Sequence, residues 1–270
     1  QPVAMVCVAE KGYATMRLTV ECDPGHASMP PSEGAIGILS RALSKLEKNP
    51  LPKTMSAANR MFTELQGGFK WPLHLIFSNM WLFTGLVKNI LAAKPSSSTL
   101  VRTTTALTVM HSGIKENVLP SKAEALVNHR IHPDDTVAGV LERDRRIIND
   151  PRVKVEVVGT STEPSPISSC THPAYKLISD CVHSIFPGSA VAPGLFTAAS
   201  DSKYFWNLTP QIYRFNPVTL HVSETGMFHG TDERIGVENY AKLVAFFRKF
   251  HTLQSSRPPV IENKPPLSKY

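Results

Sequence analysis

The feature that most constrains the fold is an order of segments. Residues 13–22, YATMRLTVEC, alternate apolar with polar side chains and are rich in β-branched types, which predicts a strand with one buried face. GHASMPP follows as a loop. A helix is predicted over 32–48, with Ser32 as its N-cap and Ile36, Leu39, Leu43 and Leu46 on one face. Strands are predicted over 100–110 and 123–131, joined by a turn within 113–120. On the second strand Ala123, Ala125, Val127, His129 and Ile131 share a face, and Arg130 points the other way. A helix over 136–149 and a strand over 153–158 complete the series. The order β-α-β-β-α-β is the split βαβ, ferredoxin-like layout. It spans about 12–160 and contains one large excursion, about 53–98.

Beyond it the pattern changes. A helix over 173–185, short apolar strands at 190–193 and 211–215, and a helix over 236–252 suggest part of an α/β layer sandwich. His229, in MFHGTDERIG, precedes an expected helix start at Asp232 and Glu233. The expected division is an α/β unit closing at 1–11, an inserted unit at 12–160, a return to the first unit over 161–253, and a tail from 254. The tail is rich in Pro, Ser and Lys and is expected to be disordered. The chain opens as QPVAMVCVAEKG, with no Met start or signal-peptide core, and reads as a strand entered midway. That is expected of a fragment or a processed piece.

Charge and cysteine usage remove some classes. Lys and Arg outnumber Asp and Glu by 29 to 22, giving a formal net charge of +7. The main basic cluster, Arg143, Arg145 and Arg146, sits on a predicted helix without interleaved aromatic residues, so a nucleic-acid partner is set aside. Cys7, Cys22, Cys170 and Cys181 form no CxxC pair and read as small buried hydrophobes rather than metal ligands.

The excursion contains WPLHLIFSNMWLFTGLVKNIL, whose residues 75–87 carry no charge. That run falls short of the roughly 20 apolar residues of a membrane span. It reads either as a helix buried within the excursion or as a greasy surface for a lipid-like substrate or a membrane face. On the second reading Leu75, Ile76, Phe77, Trp81, Leu82 and Phe83 are the contacts.

Taken singly, the polar candidates are weak. Glu10 closes an apolar run and needs a partner, whether a cation, a metal or water. His26 sits among small residues in a loop, Asn117 lies in a turn, Arg130 is a strand arginine and His229 is a lone histidine. Their order is more telling. E-K-G, G-H-A-S-x-P-P, G-x-x-x-N-V-L-P, R-I-H-P, S-D-S-K-Y and H-G-x-D-E-R follow one another over about 1–253. Together these motifs resemble the di-zinc metallopeptidase family of aminoacylase, carboxypeptidase S and many dipeptidases. LVRTTTALT, the apolar excursion and YRFNPV are similar to its secreted vertebrate branch, which makes and hydrolyses N-fatty-acyl amino acids.

The resemblance implies a zinc-binding α/β domain carrying an inserted ferredoxin-like lid, the lid often being the surface of a homodimer. It implies two zinc ions, five protein ligands and a glutamate general base. Glu10 matches the carboxylate ligand before the lid and His229 the last histidine ligand. The family's His-x-Asp, bridging Asp and Glu-Glu pair have no match here, so the implied site is incomplete and the chain alone is expected to be inactive. His26 matches an oxyanion donor that reaches the partner subunit's site; Asn117 and Arg130 match lid residues holding substrate oxygens. Asp201, Ser202 and Lys203 fall in the catalytic half and are expected to bind substrate, with Lys203 where many relatives carry Arg. The implied substrates are N-acyl amino acids or peptide-like amides, in a secreted protein. A non-catalytic lid and dimerisation module, a carboxypeptidase or dipeptidase, and a lipid carrier are the alternatives.

Overall fold

The structure, a computed structural model, describes residues 2–228 and 230–256. In chain order it runs β1 (Val3–Glu10), β2 (Gly12–Glu21), β3 (Gly25–His26), α1 (Ala35–Lys48), α2 (Ser56–Leu65), α3 (Leu73–Ser78), α4 (Met80–Ala93), α5 (Pro95–Ser98), β4 (Thr104–Ser112), β5 (Val118–Leu119), β6 (Lys122–Ile131), α6 (Val137–Ile148), β7 (Val153–Thr162), α7 (Pro173–Ile185), β8 (Ala190–Phe196) and α8 (Val237–Ser255).

The alternating strands form one antiparallel sheet in the order β4-β6-β2-β7, the ferredoxin-like arrangement. β2 pairs with β6 from Gly12↔Ile131 to Glu21↔Lys122, and on its other side with β7. Period two places Ala14, Met16, Leu18 and Val20 on the face that also carries Ala123, Ala125, Val127 and Ile131, all buried against α1 and α6. His129 shares this face. It is fully buried, with Nε2 2.8 Å from Asp144 Oδ2 on α6, so two polar side chains face each other inside an apolar layer.

Several expectations need correction. Helix α1 begins after Gly34, so Ser32 stands outside it and caps nothing; Ala35, Ile38, Leu39, Ala42, Leu43 and Leu46 form its buried stripe, and Ile36 faces outward. The strand expected at 100–110 begins at Thr104, because Val101 and Thr103 are buried where the excursion returns. Residues 211–215 form no strand; Arg214 makes an isolated bridge to Cys7. The last helix starts at Val237, and Asp232 adopts a positive φ of 61° instead of starting it. All four cysteines are free, but only Cys181 is fully buried. The tail beyond Ser256 lies outside the described residues.

The excursion packs back onto a different sheet from its neighbours in sequence. β1 and β8 run parallel, and both faces of this pair are covered, as parallel strands require. Ala4, Val6 and Val191 face α7 and α8. Met5 and Ala192 face the excursion, where Met55, Ala58, Met61, Phe62, Met80, Val87 and Val101 form a separate core.

Candidate functional site

Glu10 ends β1 opposite Phe196 at the end of β8, so it stands at the carboxyl edge of a parallel pair, where α/β folds place their ligand sites. The chain leaving β8 turns back over this edge. Ser200 donates to Glu10 twice, from its N–H to Oε1 (2.7 Å) and from its hydroxyl to Oε2 (2.5 Å). Ser202 Oγ donates to Oε2 at 2.8 Å, and Arg214 Nε at 2.5 Å. Arg214 Nη2 also donates to Ser202 Oγ at 2.7 Å. The bridge Cys7 N–H to Arg214 O and Arg214 N–H to Cys7 O, both 2.9 Å, fixes the arginine backbone beside β1. Burial pushes the neighbouring Cys7 thiol up to about 11, so it stays protonated.

A carboxylate offers about two lone-pair sites on each oxygen; three protein donors crowd Glu10 Oε2 and one reaches Oε1. In this arrangement it is the buried counter-ion of Arg214, and its Oε1 accepts a single hydrogen bond, from Ser200 N–H. His229, the other expected ligand, lies outside the described residues. Among the described residues no three His, Cys, Asp or Glu side chains group as a metal site would need.

Lys11 and Gly12 continue the junction. Lys11 is buried and donates to Thr99 O (3.0 Å) and Arg102 O (2.8 Å), tying the end of the excursion to the start of the lid. Burial first, then the nearby Arg130 charge, hold its amine down to about 8. A Cβ at Gly12 would lie 2.6 Å from Thr162 O and 2.7 Å from Pro164 N, so only glycine lets the two crossings between the units run this close. Ser165 secures the second crossing, accepting from Glu10 N–H and donating its own N–H to Glu10 O.

Two expected site residues come together elsewhere. His26 pairs with Val118 in the short β3–β5 sheet, and Ala27 N–H donates to Asn117 O at 3.1 Å. His26 is exposed, its Nδ1 held 2.7 Å from Ser28 Oγ, which leaves Nε2 directed away from that contact. Arg130 is at the opposite end of the lid. It pairs with Tyr13 at the start of β2, and its guanidinium lies 4.9 Å over the Tyr13 ring. The 10 residues of β2 carry the chain roughly 30 Å between these ends. Glu10 and Arg130 thus share one end, and His26 with Asn117 the other.

Asp201 and Lys203 flank Ser202 on a short 3-10 turn, Asp201 exposed and Lys203 Nζ 5.0 Å above the Tyr204 ring. The apolar candidates separate. Phe77 stacks on Phe62 at 4.7 Å and Phe83 packs in the same cluster, whereas Leu75 is half exposed and Trp81 is 81% exposed. They do not form one wall. Arg214 and Ser200 were not among the candidates; a lone arginine inside the apolar run QIYRF was the available sign of a buried partner.

A peptidase dimerisation domain of the M20 type matches residues 8–156. The chain belongs to the M20 peptidase family. The N-fatty-acyl-amino acid synthase/hydrolase PM20D1.1 of Danio rerio is 42% identical over 260 residues, covering 95% of this chain and 50% of that protein. A probable carboxypeptidase S-like 2 of Dictyostelium discoideum is 38% identical, covering 95% and 49%. The chain spans about half the length of the curated relatives it matches. Among solved structures, the M20 family metallo-carboxypeptidase Sso-CP2 of Sulfolobus solfataricus superposes with a TM-score of 0.61 at 14% identity, over 92% of this chain and 59% of that one. Human carnosine dipeptidase 1 gives 0.61 at 13%, over 94% and 57%. At such identities these M20 structures speak for the fold alone.

Proposed function

We propose that this chain is the lid-bearing part of an M20 amidohydrolase that cleaves, and in reverse forms, the amide bond of N-acyl amino acids with long acyl chains. The observation that carries the reading is the pairing of His26 with the Asn117 turn, residues 91 apart in sequence, into one exposed polar corner of the lid. An imidazole N–H and a carboxamide N–H suit the oxygen of a tetrahedral intermediate, whose charge develops only as the amide is attacked. Arg130, at the other end, suits a carboxylate, since guanidinium offers two parallel donors.

The roughly 30 Å between the two ends has a consequence for assembly. One subunit cannot bring His26 to its own Glu10 edge, so His26 is proposed to serve the site of a partner, in a homodimer formed through the lid. Metal dependence, with two zinc ions, and secretion enter this reading through the family resemblance. By itself, the chain is proposed to be inactive, because the described residues assemble no metal-ligand group.

Two assays test the reading. Release of fatty acid from N-acyl amino acids of increasing chain length is expected from a protein that joins this chain to the rest of its relatives' length, with kcat/KM rising with acyl length. Residues 1–270 alone are expected to release none. Turnover by 1–270 that a chelator abolishes would overturn the second expectation, and a preference for free peptides would replace the first with the carboxypeptidase reading.

A further inference from the structure

Helix α4 is apolar almost all round: Thr84, Lys88 and Asn89 are its only polar residues apart from the backbone. A helix of that kind is normally enclosed by protein or lies against lipid. Here only one side is enclosed. Met80 and Val87 are buried, with Phe83 and Leu91 packed beside them. The outer side carries Trp81 (81% exposed), Leu82 (61%), Leu86 (51%) and Ile90 (58%). Leu82, Leu86 and Ile90 follow at i, i+4 and i+8, so they form one continuous stripe. Trp71 (82%) and Leu75 (50%), before and within α3, add to the same excursion.

Along the chain, the stretch that carries this surface has charges of one sign. No Asp or Glu stands between Glu64 and Glu116, while Lys70 and Lys94 are both exposed. Glu64, the last acid before the stretch, faces Arg60 at 3.8 Å. Exposed indoles, an aliphatic stripe and flanking ammonium groups are what a helix lying in a lipid headgroup layer presents. The helix has 14 residues, roughly 21 Å, too short to cross. Among the described residues no helix is long and apolar enough to span a membrane.

A second copy of the chain is the competing occupant. A face-to-face pair would set two copies of this basic stretch against each other, with no acid of the stretch to meet Lys70 and Lys94. A single acyl chain would need a concave wall, and side chains exposed by half to four-fifths do not form one.

We propose that the outer side of α4, with Trp71, docks on the surface of an anionic phospholipid bilayer. The inference deepens the amidohydrolase reading, since an enzyme held at such a surface meets substrates that partition there. It is tested without turnover, so the two can fail separately.

The probe is co-sedimentation of the full chain with vesicles of phosphatidylcholine, alone or mixed with phosphatidylserine, alongside tryptophan emission. Binding to the mixed vesicles, weakened by salt and accompanied by a blue shift, is expected. The variant Trp81→Ser/Leu82→Ser/Leu86→Ser is expected to lose roughly a hundredfold in partition. Lys70→Glu/Lys94→Glu, which leaves the apolar surface intact, is expected to lose roughly tenfold or more. Melting temperatures should hold in both, because the altered side chains lie outside the core. Equal binding of wild type and both variants, binding indifferent to phosphatidylserine, or no binding would overturn the proposal. So would a concentration-dependent dimer that the triple variant abolishes, which would assign the face to a second copy.

Discussion

Arg214 Nε lies 2.5 Å from Glu10 Oε2 although 204 residues separate them in sequence. The two side chains are only 9% and 5% exposed, so their charges are matched in a medium that would punish either one alone. The pair joins the end of β1 to the chain that follows β8, and it holds the Ser200–Ser202 turn between them.

Glu10→Gln and Arg214→Met are each expected to lower stability by about 3–5 kcal/mol, because each leaves a buried partner unmatched. The double variant should lose less than the sum. Urea unfolding of the four proteins in a double-mutant cycle measures this. Additive losses would show that the two side chains do not act as a unit.

Lys11 gives a pH signature. Its amine is held at about 8 in the folded protein against 10.5 in the ordinary state. Between these values the folded state binds fewer protons than the unfolded chain, so stability rises with pH. The cost of burying the charged amine is present in full below pH 8 and is relieved as pH approaches 10.5. The stability of wild type relative to Lys11→Met should therefore increase by roughly 3 kcal/mol across that window. A difference that stays flat with pH would contradict the burial of a charged amine.

The excursion has two sides that mutation should tell apart. Phe77→Ala removes a ring stacked on Phe62 and should cost about 3 kcal/mol or more. Trp81→Ser should leave the melting temperature within a degree or two, since its ring is exposed. Equal losses at both positions would mean that Trp81 packs against protein.

Gly12→Ala tests the junction. Its methyl group would meet backbone atoms of Thr162 and Pro164, which cannot swing aside as a side-chain tip can. A loss of about 1–3 kcal/mol is expected. A neutral substitution would show that the two crossings are not held this closely.

The lid was legible because its signals are local. Alternation along 13–22 and 123–131 fixes which face is buried, and the order of segments fixes the sheet. His129 was placed on the buried face, but its partner Asp144 was hidden on an otherwise ordinary helix surface. The excursion was harder to read: Phe77, Trp81 and Phe83 are equally apolar, and only tertiary packing decides that two turn inward and one outward. Glu10 was marked as a carboxylate needing a partner. The partner, Arg214, comes from the far end of the chain, and no periodicity reports a contact across 204 residues.

The most direct measurement is turnover of a long-chain N-acyl amino acid by a protein extended to its relatives' full length, comparing wild type with His26→Ala. His26 is exposed and holds no core contact, so stability and metal content should not change. The expected result is a fall in kcat of roughly 10²–10³, the effect of losing one oxyanion donor. Full activity in the variant, or no amide hydrolysis by the wild type, would contradict the reading.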